Sequence, residues 1–347
     1  MVAIKKIAIK NIRSHQDFTT NLSNKVTVIT GQNGSGKTSL IEAIFVALQG
    51  GSFKGPDSDL LRTDARWWRI DITLDNDTKR TITYNPEKQL SKKQFIVDNI
   101  TTYRLPQKHK YPIVLFEPDD LRLLNGSPVR RRQFIDRFIS QLNPQYSSIL
   151  HKYERALRQR NNLLKKQHAS PDELFVWDVT LSEYGSYIIE QRIAFIEEIN
   201  SKLNDSYNEI AGVKDVVSVH YSHTYIGDIK QKILNELHSN SARDTLLGST
   251  SIGPHRHDVI FMFNNSPALS SASRGEVRTI VLALKFLEVD IIENMTGTLP
   301  LILLDDVFSE LDETRQKALS DTIREHQIII TSTHVLSGGD TFKHVKL

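Results

Sequence analysis

Cysteine is absent from this 347-residue chain, which excludes disulfide bonds and zinc sites built from thiolates. Such a composition suits a reducing compartment, and we expect the protein to act in the cytoplasm. Long apolar runs are missing as well, since none approaches the about 20 residues of a membrane-spanning helix. The opening stretch MVAIKKIAIKNI alternates like a strand and lacks the apolar core of a signal peptide. We therefore expect no membrane contact.

A strong overall charge is also lacking. The formal net charge is +3, and the content of 39% hydrophobic and 24% charged residues is typical of a globular protein. The basic residues are unevenly distributed, because residues 121–170 hold eleven Lys or Arg and only two Asp or Glu. The rest of the chain is consequently acidic. A basic block in such a chain predicts a surface that binds a polyanion.

Strand and helix patterns divide the chain into three stretches. Strands are predicted within 2–30, a hairpin at 67–85 and a short buried strand at 111–116. Helical patterns dominate 121–210 and break near QHASPDE, which predicts a helical hairpin. In the last third the strands HDVIFMF, LPLILL and QIIITST alternate with helices, one of them at 312–325. This alternation predicts a largely parallel sheet with helices on its faces.

A phosphate-binding loop is predicted at GQNGSGKT, residues 31–38, which fits G-x-x-x-x-G-K-[ST] between a strand and a helix. The glycines let backbone N–H groups surround phosphates, Lys37 would reach the β- and γ-phosphates, and Thr38 would offer its hydroxyl to Mg²⁺. The predicted nucleotide-binding residues of this segment are Gly31, Gln32, Asn33, Gly34, Ser35, Gly36, Lys37, Thr38 and Ser39.

Two aspartates end the apolar strand in LILLDDVFSELD, residues 301–312. We assign Mg²⁺ binding to Asp305, and orientation or deprotonation of an attacking water to Asp306. The alternative, an aspartate that only caps the next helix, suits Asp312 better. The segment TSTH, residues 331–334, places His334 after the last core strand. His334 is either a sensor of the γ-phosphate or a polar surface residue, and its spacing does not decide between the two.

A helix is predicted to begin at Ser273-Arg274-Gly275-Glu276. This start is either an ordinary N-cap or an anion site formed by uncovered N–H groups at the positive end of the helix dipole. A chain with its own phosphate-binding loop does not need a second anion site for the same nucleotide. It could need one for the nucleotide of a partner.

A basic helix is predicted at 149–166, and its two faces differ sharply. Apolar residues fall on one side, and Lys152, Arg155, Arg158, Lys165 and Lys166 on the other. A solvated face is the usual explanation, but acids for i,i+4 pairing are nearly absent. We favour binding to duplex phosphates without sequence specificity. The predicted DNA-binding residues are Arg130, Arg131, Arg132, Lys152, Arg155, Arg158, Lys165 and Lys166.

The order of these motifs resembles the ATP-binding-cassette ATPase heads of the SMC and RecF group, and within that group the RecF family. The resemblance extends over essentially the whole chain, and GSPVRRRQFID and GPHR are its most specific stretches. It implies an α/β fold, a P-loop ABC-type ATPase head with mixed and parallel sheets plus an α-helical insert. It also implies an N-terminal ATPase part at 1–120, the insert with the second lobe at 121–245, and the remaining ATPase motifs at 246–347.

Site roles follow from the same resemblance. Ser273, Gly275 and Glu276 would contact the ATP of the other subunit, and Arg13 would contribute at the nucleotide. Apart from the resemblance, the motifs described above make Lys37, Asp306 and His334 the candidate catalytic residues. A dimer-interface loop would consist of Ser309, Glu310, Leu311 and Asp312. This sequence departs from the group at Ala272 and Glu276, where Leu and Gln are common, and FEPDD lacks a glutamine to link Mg²⁺ with the helical lobe.

The function that the resemblance implies is an ATP-gated homodimer that holds double-stranded or gapped DNA. Slow, DNA-dependent hydrolysis of ATP with Mg²⁺ would release the DNA, and RecR and RecO would act with it to load RecA. Three alternatives remain. GPHR and the basic hairpin argue against a transporter subunit, and the lack of Cys-x-x-Cys and long heptads argues against a short relative of the hook-bearing double-strand-break ATPase. The presence of Lys37, Asp305 and Asp306 argues against a non-catalytic scaffold.

Overall fold

The structure is a computed structural model. It describes residues 3–89, 91–166, 170–223, 225–308, 311–312, 315–316, 325–334 and 342–347. The chain forms two compact units, the first from residues 1–120 and 288–347 and the second from residues 121–287. The segment 246–347, predicted as one part, is therefore divided between the two units.

The elements follow in chain order. The strands are β1 (Ile4–Ile12), β2 (His15–Asn21), β3 (Val26–Thr30), β4 (Trp68–Leu74), β5 (Lys79–Tyr84), β6 (Lys93–Val97), β7 (Ile100–Thr102), β8 (Ile113–Phe116), β9 (Val217–Ser222), β10 (Asp258–Phe263), β11 (Ser266–Pro267), β12 (Leu301–Asp305), β13 (Ile328–Ser332) and β14 (Phe342–Lys346). The helices are α1 (Lys37–Gln49), α2 (Pro128–Leu142), α3 (Pro144–Leu164), α4 (Pro171–Ala211), α5 (Ile229–Ser239), α6 (Ser241–Leu247), α7 (Ala268–Ser271) and α8 (Arg274–Thr296). The helix predicted at 312–325 lies mostly outside the described residues.

The first unit contains an antiparallel sheet of order β2-β1-β4-β5-β6-β7 and a parallel sheet of order β14-β3-β13-β12-β8. Helix α1 packs against strands of both sheets, which explains why it is apolar on nearly every side. The hairpin predicted at 67–85 is β4–β5. The hairpin β6–β7 was not predicted, although Asp98 and Asn99, both at positive φ, are residue types that favour a two-residue hairpin turn.

The parallel sheet brings the carboxyl ends of its central strands to one edge. Strand β12 pairs in parallel with β13 and with β8, and β13 pairs in parallel with β3. The phosphate-binding loop leaves β3 at that edge, where Asp305 ends β12. Residues far apart in the sequence therefore converge where open α/β sheets bind ligands.

The second unit combines the long helices α2, α3 and α4 with an antiparallel sheet of order β11-β10-β9. The break predicted near QHASPDE separates α3 from α4. The alternation in the last third assigned HDVIFMF to a largely parallel sheet, and that assignment is wrong for β10, which pairs antiparallel with β9. The reason is packing: both strands alternate between buried and more exposed residues, as in a sheet with one covered face.

No helix in the described part of the chain combines the length and the apolar character that crossing a bilayer requires.

Candidate functional site

The phosphate-binding loop depends on glycine for its backbone shape. Gly34 and Gly36 adopt φ values of 82° and 100°, a region that side chains disfavour. A Cβ on Gly36 would also lie 2.2 Å from Nε2 of His15. That His15 nitrogen donates a hydrogen bond of 3.0 Å to the Gly36 carbonyl at the start of α1. The β1–β2 turn thus packs against the loop, a contact that no sequence motif indicated.

Lys37 begins α1 and is 4% exposed. Its ammonium donates to the carbonyls of Gly31, at 3.0 Å, and Gln32, at 3.3 Å. Oδ2 of Asp306 lies 3.7 Å from the same Nζ. The loop and an aspartate from the same edge of the sheet therefore hold the lysine charge at the loop.

The carboxylate of Asp305 joins two hydroxyl groups. Oδ1 accepts hydrogen bonds of 2.9 Å from Oγ1 of Thr38 and of 2.9 Å from Oγ1 of Thr331. Asp305 and Thr331 are buried in adjacent strands, β12 and β13, so the register of the parallel sheet fixes this arrangement. The predicted pair of Mg²⁺ ligands, Thr38 and Asp305, is in direct contact.

Asp306 follows β12 with φ 53°, a left-handed conformation that aspartate tolerates better than most residues. Its backbone N–H donates to Oγ1 of Thr331 at 2.9 Å. Burial raises the pKa of the Asp306 carboxyl and the charge of Asp305 raises it further, whereas Lys37 lowers it, with a net upward shift. A carboxylate with a raised pKa is suited to accept a proton.

An open cavity of about 280 Å³ lies at the N-terminus of α1. Its lining consists of Arg13, Ser14, Asn33, Gly34, Gly36, Lys37, Thr38, Ser39 and Asp306. Most residues predicted from the sequence to meet a nucleotide therefore surround one space. Arg13 was placed there by resemblance alone, whereas Ser14 was not anticipated.

His334 is exposed after β13, and its backbone N–H donates to Oγ of Ser332 at 3.1 Å. It is not among the cavity-lining residues, so its role stays a prediction. Glu117, by contrast, was missed. The last paired residues of β12 and β8 are Leu304 and Phe116, and the next residues are Asp305 and Glu117. The parallel register thus places a third carboxylate at this edge, in the FEPDD stretch that lacks a glutamine.

Ser273 and Glu276 form a reciprocal cap at the start of α8. The Ser273 N–H donates to Oε2 of Glu276 at 2.6 Å, and the Glu276 N–H donates to Oγ of Ser273 at 3.3 Å. This is the capping-box geometry. Ser273 and Glu276 therefore make the contacts expected of an ordinary N-cap. Their role in the ATP site of another subunit stays a prediction.

The predicted dimer loop is only partly described. Ser309 and Glu310 lie outside the described residues. Leu311 is buried, and Asp312 is exposed and accepts from the Arg315 N–H at 2.9 Å. The latter contact matches the capping role considered for Asp312.

The basic helix α3 separates its charges as its pattern indicates. Tyr153, Ala156 and Leu164 are buried. The exposed basic residues are Lys152, Arg155 and Arg158 on α3, and Lys165 and Lys166 directly after its end. Arg160 was missed: it is fully buried and binds Asp178 at 2.6 Å and Asp244 at 2.7 Å.

The three upstream arginines differ from that exposed row. Arg130 is half-buried. Arg131 makes a two-pronged ion pair with Asp258, at 2.8 and 2.7 Å, and also donates to two carbonyls. Arg132 donates to the carbonyl of His257 at 2.6 Å. Arg131 and Arg132 thus have partners within the protein, because α2 packs against β10. Both arginines were predicted to bind DNA.

Comparison with known proteins places these features in a family. A family model described as an AAA domain matches residues 6–237. The DNA replication and repair protein RecF of Clostridium novyi (strain NT) is 34% identical, with 99% of this chain and 97% of that protein covered.

Solved structures agree with that assignment. A structure of the recombination mediator protein RecF-ATP in the RecFOR pathway has a TM-score of 0.87 at 28% identity and covers 97% of this chain and 93% of that chain. An Smc head domain from Pyrococcus furiosus shares the fold, with a TM-score of 0.51 at 17% identity, 96% of this chain and 90% of that chain. The P-loop ATPase-head fold and the resemblance in the motifs are thereby confirmed, and the chain belongs to the RecF family of DNA replication and repair proteins.

Proposed function

We propose that this chain binds ATP in the cavity at the start of α1 and hydrolyses it. The observation that carries this proposal is the convergence of Lys37, Thr38 and Asp306 on one cavity, with Asp305 in contact with Thr38. A lysine, a hydroxyl and two carboxylates are the groups that a magnesium nucleotide requires. The likeness to the RecF-ATP structure supports ATP as the ligand.

The donor set suits Mg²⁺, which is usually bound by one or two protein groups together with substrate phosphates and water. Thr38 and Asp305 would hold it, since their oxygens already lie 2.9 Å apart. Across the part of the chain that the structure describes, no cluster of three or more acids and histidines could hold a metal by itself. Bound Mg²⁺ would neutralise charge on the phosphates.

Hydrolysis needs a proton acceptor and a counter-charge. Asp306 would orient a water and take its proton as the water oxygen bonds to the γ-phosphorus. The bond from that phosphorus to the β–γ bridging oxygen breaks, and ADP and inorganic phosphate leave. Lys37 would balance the charge on the phosphates throughout.

We also propose that the chain forms a homodimer that binds DNA. Ser273, Gly275 and Glu276 of one subunit would complete the ATP site of the other, and Ser309 to Asp312 would lie in the interface. The exposed basic row of α3 would bind phosphates of double-stranded or gapped DNA. Because the chain is a RecF-family member, we propose that it acts with RecR and RecO to load RecA in the cytoplasm.

Loss of nucleotide binding in Lys37→Ala tests the core of this proposal. Binding of a fluorescent ATP analogue should weaken by more than about 100-fold, because the phosphates lose their counter-ion. Lys25→Ala, which removes an exposed lysine of the same unit, is the matched control and should bind as wild type does. Equal affinity of the two variants would refute the site assignment.

A further inference from the structure

Arg13 reaches the nucleotide cavity from an unusual backbone position. It lies in the turn between β1 and β2 with φ 46°, a left-handed conformation that is unfavourable for a residue with a long side chain. Its backbone N–H donates to the Leu60 carbonyl at 2.9 Å, which fixes the turn. The side chain is 34% exposed and lines the same cavity as Lys37. The cavity therefore has a second cation, from a different element than the first.

Glu42 is the residue that holds this cation. It lies on α1 one turn after Thr38, on the same face of the helix, and is only 1% exposed. Oε2 of Glu42 is 2.7 Å from Nη2 of Arg13. Burial of a carboxylate is costly unless a counter-charge accompanies it, so the ion pair favours one position of the Arg13 side chain.

The other oxygen of Glu42 is fixed as well. Oε1 accepts a hydrogen bond from the hydroxyl of Ser52. The Ser52 oxygen in turn accepts from the N–H groups of Lys54, at 2.9 Å, and Gly55, at 3.3 Å. The carboxylate is thus anchored to the loop after α1 and cannot turn away from Arg13 without breaking these contacts.

We propose that Glu42 is a positioning residue that fixes the Arg13 guanidinium beside Lys37, so that the cavity presents two cations in a set geometry to a polyphosphate. This inference rests on the proposed function, in which ATP occupies the cavity. Glu42 does not line the cavity and would act only through Arg13. Nε of Arg13 and Oε2 of Glu42 are both buried without a hydrogen-bond partner among the described residues, so the contact between the two side chains is an ion pair and not a directed hydrogen bond.

A purely electrostatic role of Glu42 would have the opposite sign. A negative charge near the cavity disfavours phosphates, so neutralising it would tighten ATP binding if Arg13 stayed in place. A positioning role predicts weaker binding, because a released arginine samples many rotamers and must be ordered again when ATP binds. The sign of the change in affinity therefore separates the two roles.

A double-mutant cycle tests the inference on the full-length protein. The members are wild type, Arg13→Met, Glu42→Gln and the double variant, measured for affinity to a fluorescent ATP analogue and for stability to urea. We expect Glu42→Gln to weaken ATP binding about fivefold and Arg13→Met about tenfold. The double variant should match Arg13→Met in affinity, because Glu42 has no target without Arg13.

Stability supplies the second measurement of the cycle. Arg13→Met leaves the Glu42 carboxylate buried and unpaired, so its urea midpoint should fall, and the double variant should recover it. If Arg13→Met does not fold, the double variant replaces it as the reference, and Glu42→Gln must lie between wild type and that reference in affinity for ATP.

Tighter ATP binding by Glu42→Gln, an unchanged affinity of that variant, or multiplicative losses of affinity in the double variant would each overturn the inference. Lys37→Ala distinguishes its failure from failure of the proposed function, since normal ATP binding by that variant would disprove the site itself.

Discussion

Glu276 and Ser273 hold each other at the start of α8, with the Ser273 amide 2.6 Å from the Glu276 carboxylate and the Glu276 amide 3.3 Å from the Ser273 hydroxyl. The Ser273 amide is thereby engaged within the subunit, whereas the Ser273 hydroxyl accepts a hydrogen bond, which leaves its own O–H able to donate. If the amide is to bind a phosphate of another subunit, the Glu276 carboxylate must first move, because two anions would otherwise compete for one donor.

Complementation between two inactive variants tests the role of Ser273 in the other subunit's site. Ser273→Arg should block that contact and leave the chain's own loop intact, whereas Lys37→Ala should do the reverse. A mixed dimer then regains one complete site of two. If one site suffices, mixing should restore hydrolysis, and if both are needed, energy transfer between labelled chains should still report ATP-dependent association.

Covalently linked pairs provide the control for this mixing experiment. A linked wild-type pair must show both hydrolysis and association. If a linked Ser273→Arg and Lys37→Ala pair then shows neither, the role in trans is wrong and Ser273 is only a helix cap.

Asp306→Asn should separate ATP binding from hydrolysis. The substitution keeps the size of the side chain and removes the proposed proton acceptor, so hydrolysis should fall by about 100-fold or more while ATP still binds and the proposed dimer persists. Asp77→Asn is the matched control, since Asp77 is exposed and has a similar φ of 63°, against 53° at Asp306. Quench-flow release of labelled phosphate measures hydrolysis, and sedimentation with ATP measures the ATP-dependent dimer. Normal hydrolysis by Asp306→Asn would exclude Asp306 as the base.

The exposed row of α3 should set the salt dependence of DNA binding. Replacing Arg155 and Arg158 by Ala should weaken binding equally for unrelated duplexes, because phosphates carry no sequence information. Each lost phosphate contact should reduce the slope of log affinity against log salt by about 0.9 in fluorescence anisotropy. Lys214→Ala with Lys230→Ala, two exposed lysines elsewhere in the second unit, controls for the change in net charge. If the arginine variant has the same slope of log affinity against log salt as wild type, the basic face of α3 is only a solvated surface and does not bind DNA phosphates.

The GPHRH stretch should make the second unit sensitive to acid. Burial, reinforced for His257 by the charge of Arg192, lowers the pKa of His255 to about 4 and that of His257 to about 3. Both rings have internal partners, at 2.7 Å between His255 and the Tyr153 hydroxyl and at 2.9 Å between His257 and the Tyr221 hydroxyl. Since the unfolded state takes up protons near pH 6.5, their stabilisation is complete above that pH. It is lost as the pH falls from about 6.5 toward the folded pKa values.

Urea unfolding at pH 7.5 and pH 5.0 measures that loss. We expect about 1–2 kcal/mol per histidine between the two conditions. His257→Gln should show a smaller difference between the two pH values than wild type, because it removes one of the titrating groups. Equal differences in the two proteins would show that His257 does not contribute.

Local patterns were sufficient for many of the elements, though not for β6–β7, and for the phosphate-binding loop. The loop, α1 and the β4–β5 hairpin were all predicted, because glycine conformation, turn residues and hydrophobic period act over a few neighbouring residues. The order of motifs also indicated the family, which the comparisons confirm.

Such local patterns do not predict contacts between residues that are far apart in the sequence. The sequence determined that Arg160 lies in a basic helix, but only packing placed it between Asp178 and Asp244, which are 18 and 84 residues away. The same holds for Arg131 on Asp258 and for Arg13 on Glu42. A local pattern predicts that a charged side chain is exposed. Burial of a charge is tolerated where a counter-charge is buried with it, and only the tertiary structure decides whether such a partner lies nearby.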